Sequence, residues 1–198
     1  MKTKLLLPLL IAATLSAPAM ADEGLFMVRV RALNMNVENG NSPSVPGAKV
    51  EINNKTFPEI DFVYNLTRNI STELVLTYPQ KHDVSLQGVK IGSVKHLPPI
   101  LLLQYQFLPG ESFNPYVGAG VNYTRFMSAN LPAGITTNKS STGFALQAGI
   151  DIAIAKNIYL NLDYKHVKIQ TDVLVAGTKL TTLKIDPNLV SVGIGWRF

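Results

Sequence analysis

Apolar and polar residues alternate along most of this chain. The alternation falls into eight segments, about Leu25–Met35, Phe57–Leu66, Ile70–Tyr78, His96–Leu108, Pro115–Met127, Thr142–Ile154, Ile158–Ile169 and Leu183–Phe198. Residues two apart share one face of a strand, so each segment predicts a strand with one apolar and one polar side. Beyond residue 21 no charge-free apolar run reaches the roughly 18 residues of a membrane helix, and glycine and proline recur too often for long helices.

The connections sort by length. "TRN", "PGESFN" and "AKN" are tight turns; the segments 36–56, 79–95, 128–141 and 170–182 are long and rich in polar residues. Short turns alternating with long loops, joined to strands of about ten residues, are the pattern of an up-and-down barrel in an outer membrane. The expected fold is therefore all-β: an eight-stranded antiparallel transmembrane β-barrel.

The two faces support this. One carries Val28, Val30, Phe62, Leu74, Leu101, Leu103, Val121 and Leu162, with Phe26, Tyr64, Tyr78, Tyr105, Tyr123 and Tyr164 toward the strand ends. The other carries Arg29, Arg31, Glu59, Asp61, Glu73, Gln104, Gln106, Asn122, Gln147, Asp151, Asn161, Asp163, Lys165 and Arg197. A soluble sandwich would bury the first set, whereas a membrane barrel turns it to lipid. The last segment ends on a bare aromatic, Phe198, which favours lipid. Such an alternating aromatic end is what the outer-membrane assembly machinery reads, so Phe198 is the expected assembly signal.

The first 21 residues read as a secretory signal peptide. Lys2 and Lys4 precede an apolar run from Leu5 to Leu15, and Ala19-Met20-Ala21 supplies the small-x-small cleavage pattern. Cleavage would leave one domain, residues 22–198, and without Lys2 and Lys4 the formal charge of +5 falls to +3. No basic stripe interleaved with aromatics points to nucleic acid. The chain has no cysteine, hence no disulfide, thiol nucleophile or thiolate metal site.

Two stretches, "KHLPPILLLQYQFLP" at residues 95–109 and "NPYVGAGVNYTRF" at residues 114–126, resemble the paired signature of the outer-membrane protein W family (OmpW/AlkL). "YPQKH" at residues 78–82 and the closing "IDPNLVSVGIGWRF" are similar too. The resemblance implies a monomeric barrel in the outer membrane of a Gram-negative bacterium and passage of small hydrophobic molecules. One position departs from it. Family members often carry a tryptophan before the glycine that opens the sixth strand, where it helps close the lumen; here that position is Thr142.

Enzymatic chemistry finds little support. His82, His96 and His166 are scattered, with no compact serine, histidine and acid spacing and no metal-ligand spacing, so no catalytic residue, metal or cofactor is expected. "GAG" at residues 118–120 opens no helix and reads as relief of crowding in a narrow barrel. An alternative to transport is a plain barrel whose external loops mediate adhesion or receptor contacts. Lys81, Lys90 and Lys95 are expected beside lipopolysaccharide phosphates.

Strand direction assigns depth. If both ends are periplasmic, the inward residues of the outer half are Leu33, Met35, Phe57, Ile100, Leu102, Phe126, Val167 and Ile169, an apolar cup. Below it Arg29, Arg31, Glu59, Asp61, Glu73, Asp163 and Lys165 form a charge plug, because charges in so narrow a lumen must pair. Pro58, Pro98, Pro99 and Pro187 lie at the level of the cup. Proline donates no ladder hydrogen bond, so these four mark an expected lateral opening through which a hydrophobic ligand would reach the outer leaflet.

Overall fold

The computed structural model describes residues 24–43, 47 and 49–198; the expected signal peptide lies outside them. Fifteen strands follow in order. They are β1 (Phe26–Asn36), β2 (Gly40–Pro43), β3 (Val50–Ile52), β4 (Lys55–Asn65), β5 (Ile70–Thr77), β6 (Gln80–Leu86), β7 (Val89–Leu97) and β8 (Ile100–Gln106), then β9 (Phe113–Asn130), β10 (Ile135–Thr137), β11 (Ser140–Ala155), β12 (Ile158–Val167), β13 (Gln170–Val175), β14 (Thr178–Lys184) and β15 (Asn188–Arg197). Eight of them close a barrel in the order β11-β12-β15-β1-β4-β5-β8-β9, with β9 returning to β11. All its pairs are antiparallel, and the seam between first and last strands runs unbroken from Met27 opposite Arg197 to Asn36 opposite Asn188.

The alternation has become inside and outside. Leu101, Leu103, Tyr105, Val121, Tyr123, Phe144 and Leu146 are each about half exposed on the outer wall, while Arg29, Arg31, Asp61, Glu73 and Lys165 are buried. A water-soluble fold would not leave this many large apolar side chains outside and put ions in its centre; a lipid-facing barrel does.

Two expectations are corrected. The long connections are not irregular loops. The wall β9 carries β7, β6 and β3 beyond the barrel, and a second sheet forms in the order β10-β13-β14-β2. Two-residue turns make this possible: Gln87-Gly88 and Ala176-Gly177 all have positive φ, the conformation that joins twisted antiparallel strands tightly. The fourth and eighth segments also divide. Pro98-Pro99 separates β7, with His96, from β8, and Asp186-Pro187 separates β14, with Leu183, from β15.

Candidate functional site

The lumen is layered. At its centre three cations meet five carboxylates. Arg31 Nε lies 2.8 Å from Glu59 and 2.6 Å from Asp61, and its terminal nitrogens reach Glu73 at 2.7 Å and Asp163 at 3.3 Å. Arg29 grips Asp151 with two nitrogens, at 2.5 and 3.2 Å, reaches Glu73 at 3.2 Å and lies over the Tyr116 ring. Lys165 Nζ bridges Glu59 at 3.0 Å and Asp163 at 2.6 Å. Neutral groups complete the shell. Tyr116 donates to Asp163 at 2.8 Å, Gln147 donates to Glu73 and Asp163, and Gln104 donates to Glu73.

The sequence makes room for this network on the last strand. Gly195 and Gly193 stand opposite Arg29 and Arg31. A Cβ at Gly193 would run into Val30 O and meet Arg31 Cα at 2.6 Å and its Cγ at 2.7 Å, and one at Gly195 would meet Arg29 Cγ at 3.2 Å. Seven strands contribute side chains and the eighth contributes space. Burying so many charges is tolerable only because each cation has several partners. Arg197, grouped with the inward charges by alternation, takes no part; its guanidinium lies over the Tyr159 ring, 4.6 Å from the centroid.

Above the plug, Leu33, Met35, Phe57, Val75, Ile100, Leu102, Val167, Ile169 and Leu189 form a continuous apolar layer, extended upward by Phe126 and the hairpin residues Val50, Val84, Val94, Val173 and Leu183. The expected open cup is largely filled. A cavity of about 20 Å³ remains among Leu33, Met35, Phe57, Val75, Thr77, His96, Pro98 and Ile100, and a second of about 20 Å³ lies above it. Each has room for one water-sized group, so a larger guest must displace side chains.

The wall beside the lower cavity is interrupted. β5 and β8 pair up to Val75 opposite Ile100. The same two runs of chain next meet at Gln80 opposite His96, between β6 and β7. Leu76–Pro79 and Leu97–Pro99 lie between those pairs and are not paired across. Pro79, Pro98 and Pro99 have no N–H to donate. On the neighbouring side, the β4–β5 ladder stops at Glu59 opposite Thr77, one residue short of Pro58. Prolines thus fall at one level on three adjacent strand paths. The far edge is sealed, because Pro99 O accepts from Tyr123 N at 3.1 Å and Asn122 Nδ2 at 3.1 Å.

Pro187 behaves differently. Its carbonyl accepts from Val167 N at 3.1 Å, and Asp186 accepts from Ile169 N at 3.0 Å and from Lys168 Nζ at 2.5 Å. An acidic side chain replaces the missing ladder, so the wall is closed there. Thr142 is exposed on the outer face opposite Tyr123, so its departure from the tryptophan pattern does not touch the lumen. Phe198 lies exposed on the barrel exterior, its N–H donating to Phe26 O at 2.8 Å.

Sequence reasoning missed Pro79, placed in a long loop, and Gln80 and His82 beside it. The signal was present: "YPQKH" sets a proline opposite the paired prolines of "HLPP".

A closed eight-stranded barrel does not by itself name a family, and comparison with known proteins does. The OmpW family profile matches residues 22–198. The chain belongs to the OmpW family. It is 33% identical to outer membrane protein W of Vibrio cholerae, covering 95% of each chain. It is 26% identical, over 93% of each, to the dibenzothiophene metabolism operon protein PahQ of Pseudomonas aeruginosa. The crystal structure of the outer membrane protein OprG from P. aeruginosa superposes with a TM-score of 0.78 at 27% identity, covering 89% of this chain and 96% of that one. This OmpW-family chain is accordingly an outer-membrane barrel, with its short turns toward the periplasm and its hairpins outside.

Proposed function

We propose that the protein lets small hydrophobic molecules pass the outer membrane passively, entering at the outer mouth and leaving sideways into the outer leaflet. The observation that carries this reading is the wall interruption at Leu76–Pro79 and Leu97–Pro99, set beside an apolar layer whose floor is ion-paired. An apolar guest gains free energy by entering the layer. It gains none by entering a zone of paired charges, so an axial path is blocked while a lateral one is open. The named operon of the PahQ relative, concerned with an aromatic sulfur heterocycle, fits the same ligand class.

The partners proposed with it are outer-membrane lipid, lipopolysaccharide and the assembly machinery, with the chain acting as a monomer. Lys81 stands directly opposite Lys95 on the β6–β7 hairpin. Like charges so placed repel, and a lipopolysaccharide phosphate between them would remove that cost.

Two substitutions test the route in cells that rely on this protein for uptake of an apolar solute. Leu102→Asp places a charge in the apolar layer and should cut uptake by at least about tenfold, since an unpaired buried charge costs several kcal/mol. Asp163→Asn leaves the layer alone and should leave uptake within about twofold. Dependence on Asp163 with indifference to Leu102 would replace the lateral route with an axial pore.

A further inference from the structure

The apolar interior is crossed by a polar band at the outer edge of the wall interruption, where β6 and β7 first pair. Gln80, His82 and His96 are fully buried there, next to Thr77. His82 and His96 stack with ring centroids 4.8 Å apart, and Phe126 tilts against His96 at 6.3 Å. Gln80 is the cross-strand partner of His96. Yet Thr77 Oγ1, Gln80 Oε1, His82 Nε2 and both ring nitrogens of His96 have no hydrogen-bond partner among the described residues. Buried polar atoms are nearly always paired, and each left unpaired costs about 1–3 kcal/mol. The other unpaired buried atoms sit on the ion-paired Arg31, Glu59, Asp61 and Asp163 or singly on Thr181, Ser191 and Arg197, whereas the band gathers five on four neighbouring side chains. His96 and Thr77 also line the lower cavity.

The bonds that do exist fix what the band offers. His82 Nδ1 lies 3.0 Å from the Asn53 carbonyl, which only accepts, so Nδ1 carries the proton and Nε2 presents a lone pair. Gln80 directs its NH₂ to Tyr78 O at 3.0 Å, leaving Oε1 as an acceptor. Neutral His96 brings one donor and one acceptor. Acceptors therefore outnumber donors. A carboxylate finds too few donors, and the Glu59 carboxylate lines the same cavity. A bare hydrocarbon leaves every atom of the band unpaired. A hydroxyl can donate to one of the free acceptors and accept from the His96 N–H at the same time, pairing part of the band from both sides.

We propose that Gln80, His82 and His96 form a head-group site that takes the hydroxyl of a small alcohol or phenol while its apolar body lies in the layer below. This rests on the hydrophobic-passage reading and narrows its ligand class. The site borders the interruption on the side of exposed Tyr78, so such a ligand leaves body first, its hydroxyl last to part from the wall.

The probes are 1-naphthol and naphthalene, which share a body and differ by the hydroxyl. Uptake of each is measured in cells expressing the protein, against cells with the empty vector, and folding of every variant is checked by heat-modifiable mobility. The wild type should favour 1-naphthol. Gln80→Leu should lower 1-naphthol uptake about fivefold to tenfold, the worth of about one hydrogen bond, and leave naphthalene unchanged; His96→Leu should lower 1-naphthol uptake about fivefold to tenfold more than it changes naphthalene, and His96→Gln should restore most of that difference. Independently, ring ¹⁵N signals of His82 and His96 in lipid nanodiscs should move on adding 1-naphthol and not naphthalene. Equal loss of both solutes, or ring signals indifferent to 1-naphthol, overturns the head-group site. If neither solute enters above the empty vector, the passage reading fails, and the ring signals alone still decide the site.

Discussion

Arg31 stands directly opposite Gly193 across the β1–β15 seam, and the β1 main chain at Val30 O and Arg31 Cα, with Arg31 Cγ behind it, fills the space a Cβ would need there. The glycine is required by this close approach and not by backbone conformation. Gly193→Ala should force the β1 and β15 main chains apart beside Arg31 and cost at least about 1–3 kcal/mol, the usual effect of overpacking. Urea unfolding in detergent micelles would read it as a lower midpoint at unchanged slope.

Removing the cation itself should be worse. Arg31→Met leaves Glu59, Asp61, Glu73 and Asp163 facing one another with only Arg29 and Lys165 nearby. Breaking a buried pair from one side costs about 3–5 kcal/mol. The triple variant Arg31→Met, Glu59→Gln, Asp61→Asn should recover much of that loss in the same unfolding experiment.

The stacked histidines predict a pH dependence above the membrane. His82 and His96 lie beyond the tyrosine girdle, in the hairpin β6–β7. Burial, helped by His82 and Lys55, pushes the His96 pKa down to about 3, and burial likewise lowers that of His82, with Lys55 adding to it while the Asn53 carbonyl and Asp83 oppose. An unfolded histidine titrates near about 6.5. Between these values the opened hairpin binds a proton that the folded one does not, so stability is full above about 6.5 and falls as the pH drops toward 3. Hydrogen exchange of β6 and β7 amides should quicken, after correction for intrinsic rates, between pH 7.5 and 5. His96→Phe, which keeps the stack and the contact with Phe126, should weaken that dependence.

The facing lysines give a test of the lipid partner. Lys81→Gln with Lys95→Gln should raise thermal stability slightly in plain micelles, by relieving repulsion of roughly 0.2–1 kcal/mol. It should also reduce the stabilisation the wild type gains from added lipopolysaccharide. An unchanged lipopolysaccharide effect would remove these lysines from that contact.

Much of the fold was legible because lipid imposes a strict period. Val28, Arg29, Val30 and Arg31 alternate, and their structural faces follow. The plug was readable as well, since ions on the inner face of a narrow barrel must find each other; which carboxylate Arg29 would grip was not, because Asp151 lies 122 residues away. The upper half was obscured by composition. Segments 79–95 and 170–182 are polar enough to pass as loops, yet Gln87-Gly88 and Ala176-Gly177 fold them into hairpins. Their buried residues Val84, Val94, Val173 and Leu183 then fill what alternation alone drew as an open cup.

The plug draws on both ends of the chain. Arg29 and Arg31 lie on the first strand, their partners Asp151, Asn161 and Asp163 on the sixth and seventh strands of the barrel, and the glycines that accommodate them on the eighth. Contacts this distant in sequence form late, after the long intervening loop has been closed. Arg29 and Arg31 therefore reach Asp151 and Asp163 only when the β1–β15 seam zips, so completing the plug coincides with completing the cylinder. An unsealed sheet would have to carry incompletely paired ions into the bilayer, so the same residues that block the finished lumen also penalise half-assembled intermediates.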